Sequence, residues 1–347
     1  MSLNFAVYDR DQNVSGDVQP FSFVPEYESS IIFNYKNPYS YASDNHYIKN
    51  CKNLNNTSLS FDLKFTNKTE EEAKSFLHLL ENTHLEANGI LNFNQLTNQN
   101  VELAFPTGNI YKNLSGFLIN DYSFQYNKNL LDIDLSLQKN GYSYLFDWGG
   151  SSYLNTDNFN TGWSTGVSYE KFDVIYYPEY VTGSNPNFYP KTNRIEKFYY
   201  CNSDHLSSED NSPTGINGNV WSRSFFYDID DGISISTDRS NSVYDDNYSF
   251  SQFNKKNANE GLIKDLKISL KNRSDKETRS IIHFMEKHEN SLPFELKLTQ
   301  LYVKKKFFIA KQMKHTFVYK DCNTIEIVLD EILKFKEDQL LDSFYVS

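Results

Sequence analysis

Residues 68–81 read KTEEEAKSFLHLLE, and residues 273–286 read RSDKETRSIIHFME. Setting Asn67 on Asn272 aligns the two without a gap, an offset of 272 − 67 = 205. Identities fall at Asn67/Asn272, Glu72/Glu277, Ser75/Ser280, His78/His283 and Glu81/Glu286. Thr69 and Ser274 are each followed three residues later by Glu72 or Glu277. That is a capping box, in which hydroxyl and carboxylate satisfy orphan backbone donors at a helix start. Behind it Ala73, Phe76, Leu77 and Leu80, and in the second copy Ile281, Ile282 and Met285, recur at helical spacing. Each copy is therefore predicted to hold one amphipathic helix of about three turns. His78 and His283 fall opposite the apolar stripe, near Glu81 and Glu286. Neither has a recognisable nucleophile or carboxylate partner for acid–base work. The expectation is that His78, Glu81, His283 and Glu286 are outward-facing subunit-interface residues.

Working outward, LSFDLKF (59–65) and LKISL (266–270) alternate as half-buried strands before the helices. Downstream, YSFQYNKNLLDIDLSL (122–137) matches HTFVYKDCNTIEIVL (315–329), with Phe124 over Phe317 and Tyr126 over Tyr319. That offset is 193, so the first copy is expected to carry 205 − 193 = 12 more residues between helix and final strands. Upstream, FSFVPEYESSIIF (21–33) sits where FFYDIDDGISIST (225–237) sits in the second copy. The repeated unit is strands, one capped helix and a hairpin. A helix that small covers one face of a sheet, which predicts a β-sandwich or split barrel with a helix at its side. The domains read as 1–150 and 223–347 for the repeats and 151–222 for an insertion.

The 347 residues include 25 Tyr and 27 Phe, with few long helical patterns, which favours a mainly β (α+β) chain of short strands and polar turns. A net charge of −11 argues against nucleic-acid binding, which needs a basic surface to release counterions. No apolar run reaches the ~20 residues of a membrane helix, and MSLNFAVYDRDQ lacks the features of a signal peptide. Cys51, Cys201 and Cys322 are odd in number and widely spaced, which suits reduced thiols. No phosphate loop, G-x-S-x-G elbow, H-E-x-x-H or C-x-x-C occurs. The acidic DIDDG (228–232) lacks the ligand spacing of a calcium loop and reads as a hairpin turn. Neither an enzyme nor a cofactor or metal site is expected.

The strand ending in an Asn-basic-Ser/Thr turn, followed by a capped helix of the form E-x-x-x-φ-φ-H-φ-φ-E, resembles the minor tail protein M and distal tail protein families of tailed bacteriophages. Asn67, Lys68, Thr69, Phe76, Leu77, His78 and Leu80 carry the likeness in the first copy. In the second it rests on Asn272, Arg273, Ser274, Ile281, Ile282, His283, Phe284 and Met285. The resemblance implies two tail-tube-like domains in a ring that joins the tail tube to the tip or baseplate. It further implies a virion protein, assembled in the host cytoplasm, whose partners are copies of itself, the tail tube protein and hub or tip proteins. Three chains would put six domains in one layer; six chains would carry one repeat in the ring and one outside it. The divergence of the two copies favours six.

The insertion, WSTGVSYEKFDVIYYPEY (163–180) and KFYYCNSDHLSSEDNSPTGINGNVW (197–221), reads as a three-stranded unit. Its core candidates are Tyr169, Val174, Tyr176, Phe198, Tyr200 and Trp221. It resembles small chitin-binding-type carbohydrate modules through Tyr169, Asp173, Val174, Tyr199, Tyr200, Cys201, His205, Ser207, Pro213 and Trp221. Those modules usually hold a Trp between the His-x-Ser segment and the Pro; SSEDNSP (207–213) has none. Trp163 and Tyr180 are the remaining candidates for a sugar-stacking platform, with a host surface glycan as the ligand. A carbohydrate- or receptor-binding tail protein is thus the alternative function, while the insertion is otherwise a spacer or neighbour-contact domain.

Overall fold

The computed structural model describes residues 3–5, 21–23, 28–35, 39–41, 47–49, 58–74, 77, 90–91, 117–140, 159–177, 198–227, 232–237, 263, 265–288, 293–298, 306–319, 321–332 and 343–346. The first copy contributes β1 (Leu3–Phe5), β2 (Phe21–Phe23), β3 (Ser30–Asn34), β4 (Tyr39–Tyr41), β5 (Tyr47–Lys49), β6 (Ser58–Lys68), helix α1 (70–74), β7 (Ile90–Leu91), β8 (Phe117–Asn127) and β9 (Leu130–Asn140). The insertion holds β10 (Phe159–Gly162), β11 (Ser168–Tyr169), β12 (Val174–Tyr176), β13 (Phe198–Cys201), β14 (His205–Leu206) and β15 (Trp221–Ser222). The second copy follows with β16 (Phe225–Tyr227), β17 (Ile233–Thr237), β18 (Leu266–Arg273), α2 (Asp275–His288), β19 (Phe294–Leu298), β20 (Lys306–Tyr319), β21 (Cys322–Ile332) and β22 (Ser343–Val346).

The chain is mainly β, and among the described residues both copies share one 12-stranded sheet. In the first copy the neighbours run β3-β6-β9-β8-β7; in the second they run β17-β18-β21-β20, with β19 beside β20. Over these five strands the two copies share one topology. The copies are joined where β20 pairs antiparallel with β3, Met313 opposite Phe33 and His315 opposite Ile31. β20 also carries β19 on its N-terminal portion, and a branch β19-β22-β16 leaves the main path there.

Local details repeat as well. β6 ends in a register break between Phe65 and Lys68, and β18 breaks between Leu270 and Arg273. Asn67 and Asn272 sit at these breaks with φ of 56° and 58°. Asn tolerates this left-handed region where most side chains clash, so the identical Asn is a backbone requirement. The capping box forms in the first copy: Thr69 N–H donates to Glu72 Oε2 at 2.8 Å, and Glu72 N–H donates to Thr69 Oγ1 at 3.3 Å. In the second, Ser274 Oγ accepts from Glu277 N–H at 3.1 Å, while the Glu277 carboxylate turns to Arg273 at 3.0 Å.

The hairpins depart from the aromatic alignment. Phe65 lies opposite Ile133, which lies opposite Phe124; the equivalent Leu270 lies opposite Ile325, which lies opposite His315. Phe124 therefore corresponds to His315, an offset of 315 − 124 = 191, and the expected match of Phe124 with Phe317 is two residues out of register. An irregularity between Phe317 and Tyr319 adds a residue to the second hairpin next to its turn.

One hydrophobic core runs through both copies, from Phe33, Phe61, Phe65 and Leu135 to Ile268, Ile281, Phe308, Met313 and Ile327. Strand alternation supplies it: β6 buries Leu59, Phe61, Leu63 and Phe65 on one face while Lys64 is exposed. Among the described residues, no helix is long and apolar enough to cross a membrane.

Candidate functional site

Among the described residues the insertion forms a four-stranded sheet, β10-β12-β13-β15, and a two-stranded sheet, β11-β14, where a three-stranded unit was expected. Its strands divide their side chains between two cores. Tyr169, Ile175, Cys201 and Trp221 make a small internal core, while Val174, Phe198 and Tyr200 join the main core. The residues that carry the carbohydrate-module resemblance include many structural ties. Trp221 Nε1 donates to Asn211 O at 3.0 Å, Ser164 N–H donates to the Tyr169 hydroxyl at 3.0 Å, and Ser207 Oγ donates to Ser164 O at 2.7 Å. Tyr169 and His205 each meet Trp221 edge-on, with centroids 5.0 and 5.1 Å away.

Against this module lies the polar side of α2. His283 is wholly buried, with Nδ1 3.1 Å from the Tyr200 hydroxyl and its ring edge-on to Phe198 at 5.0 Å. Ser280 Oγ donates to Phe172 O. Lys276 reaches Asp173 at 2.7 Å and Glu170 at 2.8 Å, and Asp173 is buried. The Lys287 ammonium stands 5.0 Å over the Tyr200 ring. Every residue of α2 from Glu277 to His288 is buried. The helix is therefore covered on both sides, the apolar stripe by the sheet and the polar stripe by the module. Burial, with Lys287 and Arg279 adding to it, holds the His283 imidazole well below its usual range.

This corrects the expected outward role of His283 and Glu286: both are buried within the chain, and the contact made by His283 is to the module of the same molecule. His78 and Glu81 lie outside the described residues. On the first helix Glu70, Glu71 and Lys74 are exposed. Trp163 does not stand out as a platform; it is half-buried, packed on the module core and edge-on to Tyr177 at 5.6 Å. Tyr180 lies outside the described residues, as do residues 228–231 of DIDDG. Cys201 is a buried thiol pushed up to about 12, chiefly by burial, which leaves it unreactive at neutral pH. Among the described residues, no group of three or more His, Cys, Asp or Glu is arranged to hold a metal.

The second surface is the pair of sheet edges. Residues 120–123 and 125–129 of the β8–β9 hairpin are exposed, with Tyr126 at 74% and Tyr122 at 38%. Among the described residues β7 covers β8 at Phe117 and Leu118 alone, and β17 pairs with β18 alone. The sequence held a signal for this surface in the alternating aromatics Tyr122, Phe124 and Tyr126, which share one strand face. The module contact was signalled by a charge difference at one repeat position, Glu71 against Lys276 (71 + 205 = 276). Compared with protein families, with curated proteins and with solved structures, the chain matches none.

Proposed function

We propose that this chain is a structural protein of a bacteriophage tail, a distal-tail or baseplate-hub component that assembles into a ring between the tail tube and the tip or baseplate. Its work is association, and it carries no catalytic role. The observation behind this reading is the β20–β3 junction: two copies of one sheet topology continue each other edge to edge inside a single chain. A unit that joins to its own duplicate in this way has the geometry of a repeating assembly. The two copies are the tail-tube-like domains of the resemblance, and the partners are further copies, the tail tube protein and hub or tip proteins.

Both copies lying in one sheet favours three chains contributing six domains over six chains with one repeat outside the ring. Part of the divergence that favoured six has a local cause, since Lys276, where the first helix has Glu71, holds the module through Asp173. Imaging and mass measurement of the purified protein test the reading. A closed ring of three chains is expected. A dispersed monomer that binds chitin oligosaccharides would overturn it in favour of the glycan-binding alternative.

A further inference from the structure

We infer that the outer edge of β8 receives β17 of a second copy of this chain, in the register that β20 and β3 adopt within one molecule; this rests on the assembly reading above. The junction inside the chain supplies the template. Phe317 N–H donates to Ser29 O, and Glu28 N–H donates to Phe317 O, so Phe317 and alternate residues before it direct their backbone groups outward to β3. By the hairpin registers Phe317 corresponds to Tyr126 (317 − 126 = 191), since each lies opposite the strand residue that pairs with Arg273 or Lys68. The same alternation turns the N–H and C=O groups of Tyr122, Phe124 and Tyr126 away from β9.

β17 occupies the place of β3. Ile31 lies opposite Phe61, Thr237 lies opposite Leu266, and these partners are one repeat apart (266 − 61 = 205). Thr237 thus stands for Ile31, Ser236 for Ser30 and Ile235 for Ser29. Carrying the junction over sets Phe124 opposite Thr237, Gln125 opposite Ser236 and Tyr126 opposite Ile235 of the second copy. The pairing of β7 ends at Leu118, one residue beyond the equivalent of Phe308 where that of β19 ends (308 − 191 = 117), so it leaves the stretch from Tyr122 to Tyr126 to the incoming strand. β8 and β17 lie toward opposite ends of the sheet path. Their pairing is therefore between chains, and it is heterologous, so that each added copy presents a fresh β8 edge until the ring closes.

Gln125 and Ser236 would form a non-hydrogen-bonded pair, with Cα atoms about 4.5 Å apart, inside the range a disulfide spans. The double variant Gln125→Cys/Ser236→Cys should give, on mild oxidation, a ladder of chain multiples on a non-reducing gel. Neither single variant should exceed the wild-type background. Tyr126→Pro removes an outward N–H from an exposed edge position and should reduce assembly at least tenfold at a concentration where wild type is oligomeric. Tyr126→Thr, which keeps the N–H, should assemble. An oligomer that neither cross-links nor responds to Tyr126→Pro overturns the strand pairing and leaves ring assembly standing. A wild type that is monomeric at every concentration overturns both.

Discussion

Acidification should weaken the second copy through His315, and the size of the effect follows from its surroundings. His315 is completely buried in β20, with Nε2 2.9 Å from Asn323 Oδ1 and its ring 4.2 Å from that of Phe317. Burial lowers its pKa to about 4, the bond to Asn323 opposing the shift. In the unfolded chain the imidazole titrates at about 6.5. Because the folded value is depressed, the unfolded state binds the proton first as pH falls. Stability is intact above about 6.5, declines below it, and stops declining below about 4. At pH 5 the ratio (1 + 10^1.5)/(1 + 10^−1) is about 30, or ~2 kcal/mol lost relative to pH 7.5. His283 shifts in the same direction, whereas Asp173 and Asp275, raised chiefly by burial, act with opposite sign. The measurement must therefore be a difference. Urea denaturation of wild type and His315→Gln at both pH values should show wild type losing ~2 kcal/mol more than the variant. Equal losses would refute the assignment of a buried neutral imidazole.

Phe284 is fully buried and meets the rings of Tyr200, Phe225, Phe294 and Phe344, so Phe284→Ala should cost ~3–5 kcal/mol in denaturant unfolding. Asn67→Val and Asn272→Val should each cost about 1–2 kcal/mol, and Gly at either position should be tolerated, because both sites hold left-handed φ. Gly215→Ala would bring a Cβ within 2.3 Å of Asp210 O, and thermal unfolding should show a cost of about 1–3 kcal/mol.

The duplication was legible at the helix start because residues there answer backbone needs that few residue types meet: Asn for a left-handed turn in both copies, Thr or Ser accepting at the cap, and Glu72 closing the cap in the first copy. The hairpin offset was not. Aromatic residues suit almost any half-buried strand position, so matching Phe124 to Phe317 cost nothing by pattern. One added residue near Val318 makes the offset 325 − 133 = 192 on the last strand and 315 − 124 = 191 on the one before it, and neither is the 193 of the aromatic match. The fate of His283 was hidden for a different reason. Its partner Tyr200 lies 83 residues away, and helical periodicity shows which side of a helix is polar without showing what covers it. The sheet edges were partly legible, since alternating aromatics mark β8, but which edge continues which follows from the β20–β3 junction alone.

Among the described residues the module docks on α2 and not on α1, and one repeat position favours that choice. Lys276 meets Asp173, which is buried, and Glu170, which is exposed. Burial disfavours the Lys276 ammonium, but hydrogen bonds to these two carboxylates outweigh it and raise the pKa. The equivalent residue of the first helix is Glu71, so the same docking there would set three carboxylates together and leave the buried one with the Glu170 N–H but no cation, a penalty of about 1–3 kcal/mol. Lys276→Glu should reproduce that situation on α2, speeding amide exchange in β13 about tenfold or more as the module loosens. Lys276→Met, which removes the attraction without adding repulsion, should fall between this variant and wild type, and Glu71→Lys should leave β13 unchanged. If exchange in β13 is the same in Lys276→Glu as in wild type, docking is decided by the apolar contacts of Phe198 and Tyr200, and charge plays no part in the selection of the second helix.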